Sequence, residues 1–221
     1  MAEFWLIRHA QASFGAADYD NLSDLGHEQA RALGVALRDL GLRPEVVVIG
    51  GQRRHRQTWA GINATLGFTA DIQVNPGFNE FDFAGLLNAR YRGQATPKDL
   101  HTDRRKHFTE LRACVLEWQR DEIPDPPETY AAFSARVSAA RHQAMRSGAG
   151  VVLAISSGGP IGQTVADIMQ APADAMIRVQ LQTKNCSVSR FIITPRAEHL
   201  SSFNETPHIT AANADRLMTY S

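Results

Sequence analysis

The chain has 221 residues, of which 43% are hydrophobic, so it is long enough to bury a sizeable core. Its 23 Lys and Arg residues balance its 23 Asp and Glu residues, which gives no reason to expect a nucleic-acid or membrane partner. The two cysteines, Cys114 and Cys186, lie far apart and outside any metal-ligand spacing, which favours free thiols. No apolar stretch has membrane-spanning length and no signal peptide is evident, so we expect a cytoplasmic protein.

Short apolar strands alternate with amphipathic helices in the first third of the chain. In chain order the pattern predicts a strand at 3–7, a helix between Ser23 and Gly41, a strand at 46–49, a helix at 53–66 and a strand at 72–74. Ser23 has the residue type of a helix N-cap, and the glycines at 41 and 67 are suited to ending the two helices.

The middle of the chain, residues 88–147, has a different character, since it is charged, aromatic and helix-prone. The prolines within residues 123–127 must interrupt it, so it is predicted to form two helices as an insertion or cap. A strand at 151–155, a helix at 160–170 and a strand at 187–193 follow. This alternation predicts one α/β domain over residues 1–221, a three-layer α/β/α sandwich around a mostly parallel sheet.

Polar residues follow three of the predicted strands. Arg8-His9 follows the first strand, Arg53-Arg54 follows the second, and the run Ser156-Ser157-Gly158-Gly159 follows the strand at 151–155. Because ligands of such sheets collect at the carboxyl ends of the strands, we expect these residues to converge. Arginines, a histidine and a glycine-rich helix start are the groups of an anion site.

These residue types suit a phosphoryl group. Arginine presents a planar, permanently charged fork, and a glycine turn entering a helix presents free backbone N–H groups. A neutral histidine can attack phosphorus, and a carboxylic acid can protonate the leaving oxygen, for which Glu28, Glu80 and Asp82 are candidates. Ordinary turn chemistry for the glycines and a solvated helix face for the arginines are the alternative interpretations.

Six segments resemble the histidine phosphatase superfamily, also called phosphoglycerate mutase-like, in family order from residue 6 to residue 208. They are Leu6-Ile-Arg-His-Ala10, Leu22-Ser-Asp-Leu-Gly-His-Glu-Gln-Ala30, Arg54-His-Arg-Gln-Thr58, Phe78-Asn-Glu80, Asn185-Cys-Ser-Val-Ser189 and Asn204-Glu-Thr-Pro-His208. The resemblance implies a phosphomonoesterase with no metal and no other cofactor, acting on a small phosphorylated substrate or a phosphoprotein. Neither the residues nor the resemblance indicates an oligomeric state.

The resemblance also implies roles for individual residues. His9 would be the nucleophile that becomes phosphohistidine, and Glu80 would protonate the leaving oxygen. Arg8 and Arg54 would bind the phosphate, and Gln11 stands where the family often has Glu or Gln beside the pocket.

The chain departs from the family pattern at two positions. Ala10 replaces the glycine of the first signature. Ser157 replaces the second pocket histidine of the pattern Ser-His-Gly-Gly, leaving Ser157 and the backbone of Gly158 as phosphate ligands. A neutral hydrogen bond in place of a charged one costs about 1–2 kcal/mol, which slows a reaction by about five- to thirtyfold. We therefore expect Ser157→His to raise activity or leave it unharmed, and His55 is one residue that could supply the missing charge.

Three other functions compete with a phosphatase. A phosphate-binding or regulatory protein with little turnover would explain the missing histidine. A mutase is disfavoured because residues 11–15 do not fit the longer Ser-x-Trp-Asn signature of the mutases. A serine hydrolase is disfavoured because Ile155 stands where a nucleophile elbow needs glycine.

Basic side chains of the insertion could recognise a second acidic group on the substrate, although a solvated helix face is the simpler interpretation. They are Arg90, Arg92, His101, Arg104, Arg105 and His107.

Overall fold

A computed structural model of the chain describes residues 1–13, 20–69, 72–97, 100, 103–146 and 148–220. Its strands are β1 (Ala2–Arg8), β2 (Val46–Ile49), β3 (Ile72–Val74), β4 (Val151–Ser156), β5 (Val188–Ile193) and β6 (Glu198–Glu205). The described residues form a six-stranded sheet in the order β3-β2-β4-β1-β5-β6. Strands β3, β2, β4 and β1 run parallel to one another. Strand β5 is antiparallel to β1, and β6 is antiparallel to β5. The predicted mostly parallel sheet is confirmed.

The described residues also form eight helices. They are α1 (Asp24–Asp39), α2 (Arg53–Leu66), α3 (Phe83–Arg90), α4 (Arg104–Gln119), α5 (Tyr130–Met145), α6 (Gly158–Ile168), α7 (Ala175–Gln180) and α8 (Ala214–Leu217). The Ser23 side chain accepts a hydrogen bond from the backbone N–H of Gly26, so it caps α1 as predicted. Gly67 ends α2 with a φ of 73°, a left-handed conformation that glycine adopts without steric cost.

Helices cover both faces of the sheet. Along β1, Trp5 and Ile7 belong to a hydrophobic cluster with α1 and α2. The alternate residues Phe4 and Leu6 belong to a second cluster with α5 and α6. Since neighbouring side chains of a strand point to opposite faces, this division confirms the three-layer α/β/α sandwich.

The helical segment has an aromatic core of its own. Trp118 of α4, Phe133 of α5 and Phe81 form a third hydrophobic cluster, with ring centroids 5.2–5.6 Å apart. The two helices predicted within residues 88–147 are thus present as α4 and α5. The assignment of residues 1–221 to one domain stays a prediction.

Some elements differ from the sequence prediction. Helix α6 begins at Gly158 rather than at Pro160, because Ser157 is extended and the glycine pair is already helical. Strand β6 and helices α3, α7 and α8 are not among the elements predicted from the sequence. No helix among the described residues has both the length and the apolar character needed to cross a membrane.

Candidate active site

The residues predicted from the strand ends lie together at one edge of the sheet. His9 follows β1, Ser157 follows β4, and Arg54 lies in the first turn of α2. Nη2 of Arg54 donates to Ser157 Oγ at 3.4 Å, and the charges of Arg54 and Arg8 both act on His9. Glu80 reaches the same cluster from the segment after a short 3-10 helix (Pro76–Phe78).

His9 is buried and has one ring nitrogen held by the backbone. Nδ1 lies 2.7 Å from the carbonyl oxygen of Ala10, which as an acceptor requires the hydrogen on Nδ1. Nε2 then carries the lone pair. Burial lowers the pKa of His9 well below its ordinary value, and the charges of Arg54 and Arg8 lower it further. The ring is therefore neutral at pH 7 and is able to act as a nucleophile through Nε2.

The turn after β1 is fixed by hydrogen bonds from three other segments of the chain. The His9 carbonyl accepts from the Asn185 side chain at 3.3 Å, and the Ala10 N–H donates to Thr58 Oγ1 at 3.0 Å. The Gln11 N–H donates to Gln29 Oε1 at 2.9 Å. Three segments matched by the family resemblance therefore position His9, although sequence reasoning gave these residues no role.

The two arginines are held differently. Arg8 Nη1 donates to the carbonyl oxygens of Thr183 and Tyr220, so the last described residue lies against its guanidinium. Arg54 donates to Asp20 Oδ1 at 2.8 Å and to Gln52 Oε1 at 2.9 Å. Sequence reasoning missed Asp20 and Gln52, because neither belongs to a recognisable motif.

Glu80 lies against the N-terminus of α6. Its Oε2 accepts from the Gly159 N–H at 3.0 Å, and its own N–H donates to Gln52 Oε1 at 3.0 Å. Burial raises the pKa of Glu80, although the Gly159 hydrogen bond and the Arg54 charge act against that shift. A carboxyl group with a raised pKa is chemically able to donate a proton.

Ser156 and Ser157 have separate partners. Ser156 donates to the carbonyl oxygen of Phe78 at 2.7 Å and so ties β4 to the 3-10 helix. Ser157 is the N-cap residue of α6, but its side chain makes no capping hydrogen bond. Its Oγ instead lies 2.7 Å from Nε2 of His55, which is fully buried on α2.

Two of the acidic candidates form other interactions, and the Gln11 side chain contacts a residue outside the cluster. Asp82 accepts from the Gly85 N–H and caps α3, while Glu28 is partly exposed and pairs with Arg216. The side-chain oxygen of Gln11 accepts from the Ser23 hydroxyl at 2.8 Å. The role of Gln11 as a phosphate ligand stays a prediction.

The basic side chains of the insertion are divided among several surroundings. Arg90 forms ion pairs with Glu110 and Glu117, and Arg92 pairs with Asp125 on the surface. Arg105 lines a pocket of about 550 Å³ with Phe108, Arg112 and Leu181 among its other residues. The ring of His107 packs edge-on against Phe83 and Phe108. His101 and the Arg104 side chain lie outside what the structure describes.

Comparisons with known proteins agree with this architecture. A 2,3-bisphosphoglycerate-dependent phosphoglycerate mutase from Chelativorans sp. (strain BNC1) is 30% identical over 129 residues, which cover 55% of this chain and only 57% of the mutase. The alpha-ribazole phosphatase from Shigella flexneri superposes with a TM-score of 0.67 at 22% identity, over 92% of this chain and 96% of that one.

A mycobacterial glucosyl-3-phosphoglycerate phosphatase, solved with inorganic phosphate, also has a TM-score of 0.67, at 17% identity over 95% of this chain and all of its own. The model of the histidine phosphatase superfamily (branch 1) matches residues 4–206. Since that match covers most of the chain, the chain belongs to the histidine phosphatase superfamily.

Proposed function

We propose that the chain is a phosphomonoesterase that works through a phosphohistidine on His9. The observation that carries the proposal is the hydrogen bond between His9 Nδ1 and the Ala10 carbonyl, which leaves Nε2 as the free nucleophilic nitrogen in a pocket with two arginines. Family membership and the phosphatases of the same fold support this reaction class.

In the first step Nε2 of His9 attacks phosphorus, and the bond from phosphorus to the ester oxygen breaks. Glu80 gives its proton to that oxygen, so the substrate's hydroxyl compound leaves neutral. Arg8 and Arg54 balance the charge on the phosphoryl oxygens throughout.

In the second step a water molecule attacks phosphorus, the bond from phosphorus to nitrogen breaks, and inorganic phosphate is released. The Glu80 carboxylate takes the proton from the water and so returns to its starting state. The substrate is a phosphate monoester, carried by a small molecule or by a phosphoprotein.

A direct test compares wild type with His9→Ala on p-nitrophenyl phosphate and on a panel of phosphorylated metabolites and phosphopeptides. We expect His9→Ala to lose about a thousandfold or more in kcat/KM. Acid-labile phosphate trapped on the wild type, and absent from His9→Ala, would identify the intermediate. The exposed His142→Ala is the matched control, and full activity of His9→Ala would overturn the proposal.

A second candidate is a phosphate-binding protein with little turnover. It is favoured by the neutral Ser157 at the position of a charged ligand, and by the ion pair of Arg54 with Asp20. Tight binding of phosphate or vanadate with no hydrolysis across the panel would support it. Interconversion of 2-phosphoglycerate and 3-phosphoglycerate would instead indicate a mutase, as the name of the Chelativorans relative suggests.

A further inference from the structure

We propose that His55 of α2 and Ser157, the N-cap residue of α6, work as a pair that replaces the second pocket histidine. His55 is a positioning residue in this pair. With the hydrogen of the neutral imidazole on Nε2, His55 donates to Ser157 Oγ, which leaves the hydroxyl hydrogen of Ser157 for a phosphoryl oxygen. The inference rests on the proposed phosphatase function and names a further element of that same site.

The first supporting observation is that the Ser157 hydroxyl is turned away from its usual partner. A serine at a helix N-cap normally accepts from a backbone N–H of the first turn, as Ser23 does on α1. Ser157 caps α6 only through its backbone, and its Oγ faces His55 Nε2 at 2.7 Å and Arg54 Nη2 at 3.4 Å. The hydroxyl therefore belongs to the pocket rather than to the helix.

The second supporting observation is the position of His55. The centroids of the His55 and His9 rings are 5.8 Å apart, so both imidazoles border the same space. A side chain at Gly50 would overlap Nδ1 of His55, and the backbone of this glycine therefore leaves the room that the ring occupies. His55 is fully buried, and its packing fixes its ring in the orientation that reaches Ser157.

The electrostatics suit such a pair. Burial and the Arg54 charge lower the pKa of His55 and outweigh a backbone hydrogen bond with Gly50 that raises it, so the imidazole is neutral before substrate binds. A neutral imidazole carries one N–H, and Ser157 can both accept that hydrogen and donate its own. When an anionic phosphoryl group enters, the arrangement with the Ser157 hydrogen on the phosphoryl oxygen is favoured because it places a donor on the anion.

The geometry also corrects our expectation for Ser157→His alone. Since His55 Nε2 lies 2.7 Å from Ser157 Oγ, an imidazole at position 157 would need the space that His55 fills. A histidine fits at position 55 or at position 157, but not at both. We now expect Ser157→His to lose activity in the presence of His55 and to regain it in the double variant His55→Ala/Ser157→His.

The test measures kcat/KM for p-nitrophenyl phosphate in a double-mutant cycle. We expect His55→Ala and Ser157→Ala each to lose about tenfold, and their combination to lose little more than either one. His55→Gln keeps an N–H near the position of Nε2 and should retain more activity than His55→Ala. Restoration to within about threefold of wild type in His55→Ala/Ser157→His is a result that a merely structural role would not produce.

Melting temperatures and the exposed control His142→Ala separate a folding defect from loss of the pair. The inference fails if His55→Ala retains full activity, if the two alanine losses multiply, or if the exchanged double variant is no better than His55→Ala. In each of these cases hydrolysis by the wild type, abolished in His9→Ala, leaves the phosphatase proposal intact.

A second readout does not depend on turnover. If the wild type hydrolyses nothing, the affinity for inorganic phosphate, measured by isothermal titration calorimetry, is compared across the same variants. Weaker binding in both alanine variants, with recovery in the exchanged double variant, would support the pair while the phosphatase proposal fails. A wild type that neither hydrolyses an ester nor binds phosphate would overturn both.

Discussion

The variant Gly159→Ala tests the role of Glu80 separately from the roles of the other pocket residues. A Cβ atom at this glycine would lie 2.8 Å and 2.9 Å from two ring carbons of Phe81, and it would overlap Glu80 Oε1. Because the added carbon would overlap Oε1, the carboxyl group must move away by about 1 Å or more in Gly159→Ala, and the Phe81 ring must shift too, since carbon contacts are optimal at about 3.5–4.0 Å. A displacement of that size at a reacting group costs about a hundredfold in rate.

The leaving group of the substrate makes this prediction specific. p-Nitrophenolate is stable as an anion and leaves without a proton, whereas an alkoxide needs one. We therefore expect Gly159→Ala to lose about a hundredfold in kcat on an alkyl phosphate such as glycerol phosphate, and much less on p-nitrophenyl phosphate. Glu80→Gln should give the same pattern.

A matched control is available on the same helix. In Gly162→Ala the added Cβ would overlap the Met176 carbonyl, so this variant is also overpacked, but away from Glu80. We expect both glycine variants to lose about 1–3 kcal/mol of stability, and only Gly159→Ala to discriminate between leaving groups. Equal losses on the two substrates in Gly159→Ala would refute Glu80 as the proton donor.

Three further predictions concern titration and stability. For alkyl phosphates, kcat/KM should rise with pH below 6.5 as His9 loses its proton, and it should fall again through the raised pKa of Glu80. A Glu80→Gln variant whose pH profile kept the same alkaline fall would contradict this assignment. Burial raises the pKa of Cys114 to about 12 and that of Cys186 even further, so Ellman's reagent should modify neither thiol before unfolding. Arg90→Met leaves Glu110 and Glu117 of α4 without this ion-pair partner and should cost about 1–3 kcal/mol by urea unfolding at pH 7.

The sequence predicted the convergence of the site well because that convergence follows from topology. Once β1 and β4 are recognised as buried parallel strands, the residues that follow them must meet at the same edge, and His9 and Ser157 do. Glu80 follows no long strand, and the family resemblance alone indicated it as the proton donor. Its place beside Gly159 depends on the 3-10 helix, whose position no periodicity predicts.

The burial of His55 could have been predicted from the sequence, but the direction of its ring could not. The buried residues of α2 include His55, Thr58, Trp59 and Ile62, which lie on one helical stripe. That stripe already places His55 on the inner face of the helix. The direction of its ring toward Ser157 depends on the path of β4 and on the glycine at position 50, which are features of the folded sheet.

Strand β6 and the partners of Arg54 could not be predicted from the sequence for a different reason. The strand lies at the edge of the sheet and its residues are mostly polar, so it lacks the apolar run of a buried strand. Asp20 and Gln52 act through single hydrogen bonds across loops. Such contacts leave no repeating pattern in a sequence.

The charges of the pocket explain why a serine is tolerated at position 157. Arg8 and Arg54 already lower the pKa of His9, so a protonated imidazole at position 157 would be electrostatically costly in this buried space before substrate binds. A neutral His55 hydrogen-bonded to the Ser157 hydroxyl avoids that cost, and the hydroxyl still offers a donor to the phosphoryl group. The exchange therefore alters how the hydrogen bond is supplied, while the two arginines continue to supply the positive charge.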